Sequence, residues 1–210
     1  YNHSYYLPLL EKCGYRVENV WHEYKIHVPQ VLPEKVLRVA DIAEKRYGLY
    51  VPEEKNLNVF IKKYLTQLFD AYDKAYSVLP ATMPITPEMR VQLKNQFKLV
   101  INKNYVAVVL TPEKEVVALA LAFPSLTKVF KGTGGRLSLK TIFRLLKEKK
   151  HPTELEFAII GAIPGYDTKG AAALLLKNIH AKMLKDGIKT AESNPELTTN
   201  VKIQSLWNVF

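Results

Sequence analysis

The chain has 210 residues, 48% of them hydrophobic, and a formal net charge of +10. That length suits one sizeable domain, or one domain with an appendage, and the apolar content is ordinary for a globular protein. No apolar run approaches the roughly 20 residues that span a bilayer, so a spanning helix is excluded and no membrane partner is expected; Val116 to Phe123, the longest candidate, is strand-sized.

The start, Tyr1-Asn2-His3, lacks the charged and apolar regions of a signal peptide. With no initiator Met, the chain is expected to be part of a longer one. A single cysteine, Cys13, cannot form an internal disulfide and fits a reducing, cytoplasmic compartment. In LPLLEKCGY it reads as a small buried hydrophobe rather than a nucleophile. The positive charge raises nucleic-acid binding, but the basic residues read as spread along the chain. The densest run, Lys147 to His151, ends a predicted helix, where cations complement the dipole. There is no RNP-like aromatic motif, zinc-finger spacing or basic tail, so neither a nucleic-acid partner nor a metal site is expected. A basic groove for an anionic cofactor accounts for the charge equally well.

In chain order, Tyr1 to about Cys13 predicts a helix closed by Gly14. Tyr15 to Val28 alternates apolar and polar residues, as one or two strands do. Val36 to Lys45 predicts a short helix and Tyr47 to Val51 a short strand. Asn56 to Tyr76 carries a helical stripe with Asn56 as cap. Pro80 to Pro87 breaks it, and Thr86-Pro87 starts a helix to about Phe97. Tyr105 to Thr111 and Val116 to Phe123 predict a hairpin. KGTGGR, 131 to 136, lacks the spacing of a P-loop and reads as a connection into a Ser138-capped helix ending near Lys149. From residue 31 on, this is a mixed α/β pattern without regular βαβ alternation.

The last segment, Glu154 to Phe210, carries the chemistry. An apolar strand meets Pro164-Gly165, then small residues, then a long amphipathic helix. Unpaired amides and the helix dipole converge there, and such a junction can hold a phosphate.

The element order, with Ile163-Pro164-Gly165-Tyr166-Asp167-Thr168-Lys169-Gly170-Ala171-Ala172, resembles the GNAT superfamily of acyl-CoA-dependent N-acyltransferases. The resemblance implies a GNAT-like fold, a central mixed, mostly antiparallel twisted sheet flanked by helices. It also implies that the loop's amides bind the cofactor's pyrophosphate, and that the strand before the loop splays from the next to admit the pantetheine arm. Carried over, the cofactor-binding set is Ile163, Thr168, Lys169, Gly170, Ala171, Ala172 and Asn200, for acetyl-CoA or another acyl-CoA. Asp167 stands where the family has Arg or Gln, and a carboxylate there reads as a helix cap, with Lys169 to offset its charge. Asn200 and Trp207 match the family's Asn-x6-Tyr, but indole N–H only donates and cannot serve as its acid. Glu156 is similar in position to the glutamate base of histone-type members, against a plain reading as a strand-end surface residue.

Residues 2–15 resemble the closing helix of such a domain and 15–28 its final hairpin. The implied organisation is residues 1–30 as the tail of a preceding GNAT-like domain and 31–210 as a second copy lacking its last strands. The implied function is acyl transfer from acyl-CoA to an unknown amine acceptor. The alternative is a non-catalytic GNAT-like module that binds a ligand or a partner domain.

Overall fold

The computed structural model describes residues 3–80 and 82–207, with 97–100 as backbone alone. Tyr1, Asn2 and Phe210, used in the organisation above, lie outside the described residues. Helix α1 (Tyr6–Lys12) has no buried residue, and Cys13 behind it is exposed rather than buried. The extended pieces that follow, β1 (Trp21–His22) and β2 (Lys25–His27), are much shorter than the alternation predicts.

Helix α2 (Glu34–Tyr47) runs through Tyr47 to a left-handed Gly48. The predicted strand at 47–51 is therefore reduced to a bridge between Tyr50 and Leu110. α3 (Leu57–Tyr76) begins at Asn56, whose Oδ1 accepts the Val59 amide at 3.1 Å; such caps contribute about 1 kcal/mol. α4 (Pro87–Val100) starts at the expected proline and ends beyond Phe97.

The hairpin is β3 (Val106–Leu110) with β4 (Val116–Pro124). Then come α5 (Thr127–Phe130), α6 (Leu139–Lys150), β5 (Glu154–Ala162), α7 (Ala171–Lys185), β6 (Thr190–Ser193), β7 (Glu196–Leu197) and α8 (Val201–Trp207). The main sheet has the order β2-β6-β5-β4-β3, with β5 and β6 parallel and the other pairs antiparallel. It is the mixed, mostly antiparallel sheet that the resemblance implies.

β1 and β2 do not form the predicted hairpin. β2 extends the sheet along β6, and β1 pairs with β7. A hairpin needs its strands side by side; here each finds a longer-range edge, and the N-terminal segment holds the strand that carries Glu196. All five residues of β3 are buried, because helices cover both faces of the sheet. Ala107 and Val109 join the core with α2 and α7, while Val106, Val108 and Leu110 join the core under α3.

Candidate active site at an open strand edge

β5 organises the site. From Glu154 to Phe157 it pairs with β6, and at Ser193 β6 ends. Among the described residues, 158–162 keep β4 alone as a strand neighbour. Phe157 stands opposite Ala122 and Ile159 opposite Leu121, so Ala158 is a bulge with no counterpart on β4. Bulges disrupt the ladder locally and are over-represented beside active sites. The result is a fork, with the edge of β5 as one wall and the segment after β6 as the other.

Two side chains enter it. Asn194 donates its Nδ2 to the Ala158 carbonyl at 2.9 Å, and the Tyr76 hydroxyl donates to the Ile160 carbonyl at 3.3 Å. The Tyr76 ring stacks on Tyr72 at 4.5 Å between centroids. Burial pushes the Tyr76 hydroxyl up to about 12, with Tyr72 and the negative charge of Glu196 adding to the shift.

Glu196 on β7 is the functional candidate that sequence reasoning missed. Its Oε1 accepts the Trp207 indole N–H, and its Oε2 is buried with no hydrogen-bond partner among the described residues. Burial holds the carboxyl above the usual carboxylate range, opposed by the Trp207 bond. The one sequence signal was indirect: a buried indole needs an acceptor, but nothing in the chain says which. Trp207 is 6% exposed and lies 5.2 Å from the Phe157 ring, so it packs the fork's floor.

The loop before α7 is held largely by its own groups. Asp167 Oδ1 accepts the amides of Gly165 at 3.1 Å and Thr168 at 3.0 Å, and its Oδ2 meets Lys202 Nζ at 2.6 Å. Lys202, then the amides, hold its carboxyl below the usual range. A depressed carboxylate stabilises the fold above its unfolded pKa, and that contribution is lost as pH falls through the folded value. Lys169 does not meet Asp167. Its ammonium lies 4.2 Å from the Tyr166 ring centroid and 5.7 Å from that of Tyr47.

The other predicted residues divide. The Ile163 amide is spent on Val117 O at 2.9 Å, and its side chain packs toward α3. Thr168 is exposed, Ala171 fully buried and Ala172 half-buried. Gly170 opens α7 at φ 83°, and a Cβ there would lie 2.8 Å from Val39 O on α2. Its missing side chain thus serves packing between helices. Asn200 accepts the Ile203 amide at 3.4 Å at the start of α8. Glu156 is half-buried; its Oε1 accepts the Ser125 hydroxyl at 2.7 Å, and it pairs beside Glu192 just below the fork.

Against the α3 face lies an apolar cavity of about 260 Å³. Its wall includes Ala158 and Ile159 of the fork, Tyr72 and Tyr76, and Leu121; among the described residues, Lys94 is the one charged residue on it. Among the described residues, no cluster of three or more His, Cys, Asp or Glu could hold a metal ion.

No protein-family model matches the chain, and no curated protein does. Solved structures do match. A GCN5-related N-acetyltransferase from Sphaerobacter thermophilus aligns over 94% of this chain and 49% of its own, with 13% identity and a TM-score of 0.56. A GCN5-related glucosamine N-acetyltransferase region of a fungal multi-domain GH3 β-N-acetylglucosaminidase aligns over 96% of this chain and 21% of its own, with 10% identity and a TM-score of 0.56. At these identities the likeness shows the fold. The chain spans about half the first protein and about a fifth of the second.

Proposed function

We propose, from the GNAT-like fold that the chain carries, that it is an acyl-CoA-dependent N-acyltransferase acting on an amine. The observation that carries this is the β5 edge from 158 to 162, bulged at Ala158 and without a β6 neighbour. An amide-bearing arm adds to such an edge as a strand does, taking over the carbonyls now held by Asn194 and Tyr76. The loop ahead of α7 stands at the same end of β5, where first-turn amides and the helix dipole favour a pyrophosphate.

Acyl-CoA, when bound, supplies the acyl group as a thioester. Glu196 Oε2, with no donor among the described residues, accepts the proton of the attacking amine. Tyr76, neutral at physiological pH, has a proton for the departing sulfur. Trp207 orients Glu196 and performs no proton transfer. Glu156 is the less favoured base, since it lies below the fork, where β6 still pairs with β5. The cavity takes the acyl chain: it begins at the bulge and, among the described residues, offers no carboxylate for an ammonium group.

Calorimetric titration with acyl-CoA of increasing chain length tests this. Acetyl-CoA is expected to bind, and longer chains to bind roughly fourfold tighter per buried methylene until the cavity fills. Asp167→Asn keeps an acceptor for the two loop amides but removes a negative charge from the pyrophosphate's place. It is expected to tighten binding roughly fivefold. No binding of acetyl-CoA sinks the proposal, and a flat chain-length series removes the acyl chain from the cavity.

The second reading, a binding module without catalysis, is favoured by the same Asp167, which fills the loop's amides. Binding without turnover selects it. A further GNAT-like domain in the same protein is the cover we propose for α1, where Tyr6, Leu7, Leu9 and Leu10 stand exposed; in a protein carrying both, Cys13 would resist maleimide. A cytoplasmic location belongs to the same proposal and rests on the single cysteine.

A further inference from the structure

Helix α6 is mounted with its apolar side outward. Thr141 is its one buried residue, while Leu139 is 87% exposed, Phe143 74%, Leu146 58% and Ile142 42%. These positions follow i, i+3, i+4, i+7 and form a single stripe. Leu137, 67% exposed, extends it into the preceding loop. The opposite side anchors the helix: Asn102 Nδ2 donates to Lys149 O at 2.8 Å, and Glu148 Oε1 accepts the Thr153 amide at 2.7 Å.

Cations surround the stripe. From Lys128 to Lys150 the chain has eight Lys and Arg and one acidic residue, Glu148. The reading of the basic residues as dispersed thus misses a local excess, which α6 displays through Lys140, Arg144 and Lys147, all exposed.

We propose that α6, with the loop 131–138 before it, seats on an anionic lipid surface. The stripe enters the boundary between headgroups and acyl chains, and the flanking cations meet lipid phosphates. A nucleic acid would use the cations but leave Leu139 and Phe143 in water. A protein partner would have to bring both an apolar groove and a rim of carboxylates. The expectation of no membrane partner rested on the lack of a spanning segment, and no described helix is long and apolar enough to cross a bilayer. A helix lying in the interface needs no such length. This inference does not rest on the acyltransferase reading.

Cosedimentation of the whole chain with vesicles tests it, using phosphatidylcholine alone and phosphatidylcholine mixed with phosphatidylglycerol. Binding is expected only to the mixed vesicles, weakening as salt rises. Phe143→Gln and Leu139→Gln are each expected to weaken it about tenfold, and Lys140→Gln or Arg144→Gln roughly fivefold. All four side chains are exposed, so unchanged melting curves show that the fold is kept. Absence of binding to the mixed vesicles overturns the proposal, as does binding that Phe143→Gln and Leu139→Gln leave untouched. Capture by heparin or single-stranded RNA with vesicles ignored also overturns it, making the face a polyanion site of another class.

Discussion

Gly170→Ala is expected to destabilise the protein by about 2–5 kcal/mol, from left-handed strain of about 1–2 and overpacking of about 1–3. For a domain of this size that is roughly 5–15 °C in thermal midpoint. The residue has φ 83°, and a Cβ would lie 2.8 Å from Val39 O, 2.9 Å from Val39 Cγ1 and 3.2 Å from Ala43 Cβ. A backbone oxygen of α2 cannot swing aside as a flexible side chain does, so α7 itself must shift. Gly165 is the internal control: its φ is 90°, but nothing lies within 4 Å of its Cβ position, so Gly165→Ala carries the strain alone. Chemical denaturation of both variants checks this, and equal stabilities would remove the packing argument. Loss of acyl-CoA binding in a Gly170 variant would report a displaced helix. Ala172, half-buried at the same terminus, is the cleaner position for testing close approach of a ligand.

Glu196→Gln is expected to lower kcat about 10²–10⁴-fold, the usual contribution of a positioned base. The amide still offers an oxygen to the Trp207 indole, so the floor of the fork is retained. The parent's acid limb in kcat/KM should fall above the ordinary carboxylate range, because burial raises this pKa, and it should vanish in the variant. Stability supplies an independent readout. With the folded pKa above the unfolded one, the native state binds more protons in the interval between them. Stability therefore drops as pH rises through that interval and stays lowered above it. Glutamine does not titrate, so the variant should be more stable than the parent at neutral pH, with the gap closing in acid. A variant that keeps its activity and its acid limb would exclude Glu196 as base, and Glu156→Gln would then be the substitution to measure.

Much of the architecture is legible locally. The stripe from Leu57 to Tyr76 needs only its period and the Asn56 cap, and the hairpin around Lys114 only two apolar runs and a turn. The loop at 163–170 announces itself by its small residues. The fate of 15–28 is not legible, because alternation tells which face is buried but not which edge a strand will join. The end of α2 is misjudged for a related reason: Tyr47 to Val51 is apolar enough for a strand, but the left-handed Gly48 turns the chain and leaves one bridge.

The site divides along the same line. Residue types and order alone determined the succession of helices and strands and the glycine-bearing strand–loop–helix, since each depends on neighbours a few positions away; the mostly antiparallel sheet and the departures at Asp167 and Trp207 are legible only against the family pattern. Only the tertiary structure decided that Asp167 pairs with Lys202, that Lys169 sits between two tyrosines, and that Gly170 yields to α2. It alone brought Tyr76 of α3 to the open edge of β5, and Glu196 of β7 near enough for its charge to act on the Tyr76 hydroxyl. Their separation along the chain leaves no periodic trace. What raises the Glu196 pKa is the loss of water around it, a property of packing rather than of any residue's identity.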